Sequence, residues 1–435
     1  MAPLFQLDED DDPTHEAAVF VKVPEHVYTA VYSPLRQKVR QAVAREVERE
    51  MAALVEIQRR YRNDALDTLF ILTGMLGNHA FFMLALPFLH VFGGGQFARG
   101  LTFVVLWSIY FSGWVKDYVS APRPASPPIA QITRSPAHTF EYGFPSSHTT
   151  YVVATILYIS HFMIHVWGSP LGSIATFWAV GAFIVVGRIY CGLHSFVDVV
   201  GGIGIGVVEA LVFVAFYPRI DALLLSTPGP LYMAAVLYLA LKNIPRSLDL
   251  CPCCVDSFCA TSVTLGLAVG TWVHARTPFL WRNGVVDSIA WDGSLTPAQN
   301  ALRCAIVLVL VVAWKLTSKA PMVALVQGLS LCPAPCCDGV DGSKLGIGAE
   351  SKPECMDTLL DSISVKPRLS EENTMYIKKN HPVPSPSSIA AGHYGTYKLM
   401  ITPENFARVP IYAGLGIVIY VAAPMLFYLL GLMPA

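Results

Sequence analysis

Three short polar stretches hold residues whose types and spacing suit chemistry on an anion. The first is Lys116-Asp117-Tyr118-Val119-Ser120-Ala121-Pro122-Arg123-Pro124, and the second is Pro145-Ser146-Ser147-His148. The third runs from Gly187-Arg188 through Cys191-Gly192-Leu193-His194 to Asp198. Lys116, Arg123 and Arg188 offer fixed positive charge, and the arginines offer forked donors that match phosphate oxygens. Ser146 and Ser147 add hydroxyls and the N–H groups of a helix start, a ready anion site. Such a set would stabilise the charge of a pentavalent phosphoryl transition state.

His194 and Asp198 stand four residues apart. On a starting helix the carboxylate can hold one imidazole nitrogen and leave the other to attack phosphorus. His148 begins a different helix and can protonate the leaving alkoxide, then activate water against the phosphohistidine. These roles require no metal and no cofactor, and none is expected.

The elements that must position these groups are membrane helices. The chain has 435 residues, 54% hydrophobic and only 14% charged, far less charge than a soluble domain of this length carries. Apolar runs long enough to span a bilayer fall at 67–92, 96–115, 148–167, 171–190, 198–217, 257–275, 299–317 and 408–433, with weaker ones at 222–241 and 320–332. The expected fold class is therefore all-α, a polytopic membrane helical bundle. Each polar island sits at the end of a span, and following the chain through the bilayer brings all three to one membrane face. Alone, each basic residue would be read as snorkelling to headgroups; their joint placement with two histidines and an aspartate points to a shared site. His79, His90, His161 and His165 lack such partners and are expected to pack.

A net charge of −1 gives no global basic excess, which argues against nucleic acid as a partner. Residues 1–65 read as a polar N-terminal tail with an interfacial helix over Val39–Arg62, and the acidic run Asp8–Asp12 as solvated. No basic segment with an apolar core opens the chain, so no cleaved signal peptide is expected. The core is expected over 66–275, additional membrane helices over 276–332, a largely disordered exposed loop over 333–407, and a C-terminal transmembrane helix over 408–435. The cysteine groups Cys251-Pro252-Cys253-Cys254 and Cys332–Cys337 lack regular paired ligand spacing; zinc or acylation remain open for them, and disulfides are not expected.

The three islands resemble the signatures of the type-2 phosphatidic acid phosphatase superfamily: Lys-x6-Arg-Pro, then Pro-Ser-Gly-His, then Ser-Arg-x5-His-x3-Asp. Within it, Pro122-Arg123-Pro124-Ala125-Ser126-Pro127-Pro128 and Glu141-Tyr142 are similar to sphingosine 1-phosphate and long-chain-base phosphate phosphatases. The resemblance covers roughly residues 60–275. It implies a six-helix phosphatase core of the haloperoxidase-like type with extra C-terminal transmembrane helices. It also implies hydrolysis of a sphingoid base 1-phosphate at the endoplasmic reticulum, multi-pass, with a lumenal site. The basic residues of the N-terminal segment point the other way, because the positive-inside rule would make their face cytosolic.

Two positions depart from the pattern: Ser147 stands where Gly is usual, and Gly187 where Ser is usual. Activity is expected to survive both. The rival readings are a phosphatidate or polyprenyl diphosphate phosphatase of the same superfamily, and a non-catalytic transporter or scaffold. The proline-rich element weighs against the first, and the His148, His194 and Asp198 set against the second. Sequence leaves the preferred sphingoid base and the oligomeric state open.

Overall fold

A computed structural model describes residues 25–77, 79–92, 95–133, 141–166, 168–245, 247–248, 251–277, 293–328 and 403–433. The expectations for Asp8–Asp12, for Cys332–Cys337 and for most of the 333–407 loop lie outside these residues, and so does the side chain of His79. The chain is all-α, with no strand among the described residues.

In chain order the helices are α1 (Glu25–Val31), α2 (Pro34–Tyr61), α3 (Asp64–Gly74), α4 (His79–Phe92), α5 (Gly95–Val119), α6 (Ser147–His165), α7 (Leu171–Tyr190) and α8 (Phe196–Leu225). They continue as α9 (Gly229–Lys242), α10 (Cys253–Arg276), α11 (Pro297–Thr317), α12 (Lys319–Gly328), α13 (Pro403–Ile417) and α14 (Ala423–Leu429), the last two joined by a π-turn at Val418–Ala422. Five segments are long and apolar enough to cross a membrane by length and composition: α7, α8, α10, α11 and the run Phe406–Leu429. The protein is a multi-pass membrane protein.

Exposed apolar side chains bear this out. Leu171, Phe177, Trp178, Val180 and Val186 on α7, and Val200, Val208, Leu211 and Phe216 on α8, lie on the outside, as the lipid-facing side of a spanning helix does. Helices α5, α6, α8 and α10 pack together at the centre. Gly202 and Gly206 bring α8 onto α6, since a Cβ at either would meet the Ser146 or Thr150 carbonyl at 2.7 or 2.6 Å. Small residues at crossings are how membrane helices approach closely.

The apolar run at 67–92 is two helices rather than one. A 3-10 turn at Met75–Gly77 separates α3 from α4, and Gly74 there abuts the Arg188 guanidinium. Helix α2 is amphipathic in the expected place, but it lies across the ends of the bundle. Arg40, Val47 and Leu54, seven residues apart, form its buried stripe. Arg36 donates to the Asp117 and Tyr118 carbonyls at 2.5 Å each, and Gln58 donates to the Tyr190 carbonyl at 2.9 Å. Helix ends leave carbonyls without intrahelical partners, and α2 supplies donors to those of α5 and α7.

Candidate active site

The site lies under α2, where α5 and α7 end and α6 and α8 begin. Helix α5 stops with Ser120 at φ +54°. This is the left-handed conformation common just past a helix end, stabilised here by the Ser120 hydroxyl donating to the Asp117 carbonyl at 2.9 Å. The chain then leads to Arg123, and Lys116 remains on the last turn of α5. Both are buried, Lys116 at 1% and Arg123 at 6% exposure.

Their charges converge on one carboxylate oxygen. Glu141 Oε2 accepts from Lys116 Nζ and from Arg123 Nη2, each at 2.9 Å, and its backbone carbonyl accepts from Arg123 Nε at 3.1 Å. Glu141 thus holds the position that an anionic ligand of these two cations would take. Its neighbour Gly143 passes so close to the loop that a Cβ would sit 2.8 Å from the Pro122 carbonyl and 3.2 Å from Asp198 Oδ2.

His194 lies in the turn between α7 and α8, outside the spanning helices and 3% exposed. Arg123 Nη1 donates to the Leu193 carbonyl at 2.6 Å and lies 3.3 Å from His194 Nε2. An arginine is only a donor, so Nε2 carries the lone pair and Nδ1 the proton. Nδ1 points to Asp198 Oδ2 at 3.6 Å, just beyond hydrogen-bond length. Asp198 is itself fixed by a capping box: Oδ2 accepts from the Ser195 N–H at 2.8 Å, and the Asp198 N–H donates to the Ser195 hydroxyl. Burial, then the positive charges of Arg123 and Lys116, hold the His194 imidazole well below its ordinary pKa. It is neutral, and so nucleophilic, with its lone pair turned to the cationic pocket.

Arg188 and His148 form the other half. Arg188 is 2% exposed and donates to the Phe70 carbonyl at 3.3 Å. His148 Nε2 lies 3.2 Å from the Gly74 carbonyl. The break between α3 and α4 therefore touches both residues. Ser146 caps α6, its hydroxyl oxygen accepting from Thr149 N–H and Oγ1, which leaves its proton for another acceptor. Ser147 is half-buried in the first turn of α6.

All eight residues singled out by sequence thus belong to the cluster of helix ends. Glu141, Gly74 and the donors of α2 are further participants that the three islands did not indicate. A signal for Glu141 existed: two cations buried at a helix end need a counter-charge, and Asp198 is committed to its own helix cap.

Residues 97–221 match the family model described as PAP2 superfamily. A dihydrosphingosine 1-phosphate phosphatase of Schizosaccharomyces pombe is 36% identical over 233 residues, covering 52% of this chain and 56% of the relative. One of Saccharomyces cerevisiae is 32% identical over 271 residues, covering 60% and 64%. A human sphingosine-1-phosphate phosphatase 2 is 28% identical over 212 residues, covering 47% and 52%. The chain thus spans less than two thirds of the length of each of these relatives. No solved structure matches it. The matched segment runs from the first turn of α5 to Asp221 and contains all three polar islands, so the similarity to the PAP2 superfamily falls on the helices that build the site.

Proposed function

We propose that the protein is a metal-independent phosphatase that removes the phosphate of a sphingoid base 1-phosphate at the membrane surface. One observation carries this reading above the others: Lys116 and Arg123 converge on a single anion-sized position beside the Nε2 lone pair of His194. A phosphate that displaced Glu141 from the two cations would present phosphorus to that nitrogen. As the N–P bond forms, the P–O bond to the lipid alcohol breaks, and His148 gives its proton to the departing oxygen. Water then attacks the phosphohistidine, its proton passes to His148, and inorganic phosphate leaves with His194 neutral again. Asp198 orients His194 and balances its positive charge in the intermediate. Arg188 and the Ser146 and Ser147 donors add stabilisation of the equatorial oxygens.

The substrate class rests on Glu141 and on the names of the relatives. Once displaced, the Glu141 carboxylate remains beside the phosphate and can pair with the ammonium that a sphingoid base carries next to its phosphate ester. Phosphatidate and polyprenyl diphosphates offer no such cation. A single-chain lipid would enter from the bilayer with its headgroup at the helix ends, and residence in the endoplasmic reticulum fits the same reading.

The test is phosphate release by the detergent-purified chain, without added divalent metal, from sphingoid base 1-phosphate, phosphatidate and a polyprenyl diphosphate. The expected result is preference for the first and no turnover by His194→Ala. Preference for phosphatidate would retain the chemistry and overturn the substrate; full activity of His194→Ala would overturn the mechanism.

A further inference from the structure

Beside the phosphate pocket lies a second cluster that the proposed chemistry does not use. Cys251 and Cys253 flank Pro252 at the start of α10, and Asp117 faces them from the last turn of α5. One ligand atom from each lies within 4.8 Å of the other two, and the two sulfurs are 2.7 Å apart. All three residues are buried, at 6%, 5% and 1% exposure. The Cys251 thiol interacts with the Asp117 carboxylate, and among the described residues no N–H or O–H donor meets either of its oxygens. Burying a carboxylate in this way is costly unless a cation or donor meets it.

We propose that Asp117, Cys251 and Cys253 bind a zinc ion that clips the start of α10 to the catalytic end of α5. Two thiolates and a carboxylate are a normal zinc donor set, with the fourth corner left to water or to the adjacent Cys254 thiol. In a tetrahedral site the sulfurs stand about 3.7 Å apart, given a Zn–S bond of roughly 2.3 Å, so they separate by about an ångström on binding. Both thiol protons leave to solvent as the metal enters. A Cys251–Cys253 disulfide would engage the sulfurs alone and leave the buried carboxylate without a partner, whereas a divalent cation meets both needs.

The consequence for the pocket follows from position. Asp117 adjoins Lys116, and Tyr142, next to Glu141, packs against Cys251 and Cys253. The Asp117 carbonyl is also held by Arg36 of α2. Zinc here is structural: it fixes the backbone from which Lys116 and Glu141 reach the phosphate position and takes no part in bond making. The cysteines lie beyond the matched 97–221 segment, so the clip ties that segment to the following helices. The inference is independent of the phosphatase reading.

The experiment uses the full chain purified in detergent. Metal content by mass spectrometry is expected to be about one zinc per chain, and cobalt exchange to produce a thiolate-to-cobalt charge-transfer band. Cys251→Ser with Cys253→Ser abolishes both, and Asp117→Asn alone weakens zinc retention and changes the cobalt spectrum. Zinc content unchanged in the double variant would overturn the proposal, and so would the absence of zinc and of the cobalt band in freshly reduced wild-type protein. Intact-mass detection of a Cys251–Cys253 disulfide that forms whether or not zinc is supplied would also overturn it. Cys251→Ser alone, which removes one ligand and retains the fold's volume, guards against loss through misfolding; it is expected to bind zinc at reduced affinity with the protein still monodisperse.

Discussion

Helices α5 and α8 each carry buried charge at both ends, and the two ends are built differently. Toward the far end, Arg99 of α5 meets Asp221 of α8 in a two-pronged pair, 2.8 and 2.7 Å, with both side chains buried. The Tyr217 hydroxyl donates to the same carboxylate at 3.1 Å. There one cation meets one anion at its full fork. At the near end, Lys116 and Arg123 share a single oxygen of Glu141, and Arg188 takes a backbone carbonyl. The first arrangement is closed and holds helices together; the second keeps positive charge in excess and is open to an incoming anion. Buried charge is therefore no marker of function by itself. The stoichiometry of donors to acceptors separates the two ends.

The largest expected separation between them is in turnover. His194→Ala should lower kcat by roughly 10,000-fold or more, the scale of removing a nucleophile that acts as one unit with its partners. Its thermal midpoint in detergent should change little, because the turn at 191–195 is held by backbone bonds to Arg188. Loss of fold in this variant would erase the distinction. Next in size, Arg99→Ala should destabilise by about 3–5 kcal/mol, the penalty for leaving a buried carboxylate unpaired. Specific activity of the folded fraction should persist. Pairing it with Asp221→Leu should recover most of the loss, and failure to recover would mean that the far end, too, does more than hold helices.

The near end was legible in the sequence and the far end was not. Lys116, Arg123, Arg188, His148, His194 and Asp198 stand in three islands whose placement at span ends implies a common face, and in the fold they lie at neighbouring helix ends. Arg99 sits alone at the start of an apolar run, where a snorkelling reading suits it, and Asp221 sits two residues from Arg219, which reads as a charged break between runs. Their pairing depends on α5 and α8 being adjacent, which spacing cannot reveal. Glu141 was visible beside Tyr142 and a counter-charge for the two cations was to be expected, but its partners lie on other segments, so the spacing gave it no role. The break at Met75–Gly77 escaped because the apolar run continues through it; the contact of Gly74 with Arg188 and His148 is a tertiary fact.

Glu141 offers a sharper test of openness at the near end. With Glu141→Gln, the cations lose their resident anion, and inorganic phosphate should inhibit about tenfold more tightly, a change of roughly 1.4 kcal/mol. The same variant should lower kcat/KM for sphingoid base 1-phosphate relative to phosphatidate by about tenfold, since the pairing with the ammonium is gone. Unchanged phosphate inhibition would show that Glu141 does not compete for the phosphate position. A changed inhibition with unchanged selectivity would restrict its role to that of a resident anion.

The smallest effect concerns Gly187, where the family pattern has Ser. A Cβ at this position would lie 2.6 Å from Phe70 Cδ1, and the Phe70 carbonyl is the acceptor of Arg188. The Phe70 ring also packs between Phe183 and Tyr190, with centroids 4.7 Å from each. A serine would therefore push α3 away from α7 and draw the carbonyl off the guanidinium, overpacking of a kind that costs about 1–3 kcal/mol. Restoring the family residue should thus reduce kcat/KM by about three- to tenfold rather than raise it, an effect of about 0.7 to 1.4 kcal/mol on transition-state binding. Adding Phe70→Leu, which makes room for the Cβ while leaving the carbonyl in place, should return most of the activity. If Gly187→Ser alone is more active than the natural chain, the hydroxyl contributes directly to the phosphate site, and the close approach of α3 to α7 is not what governs residue choice at this position.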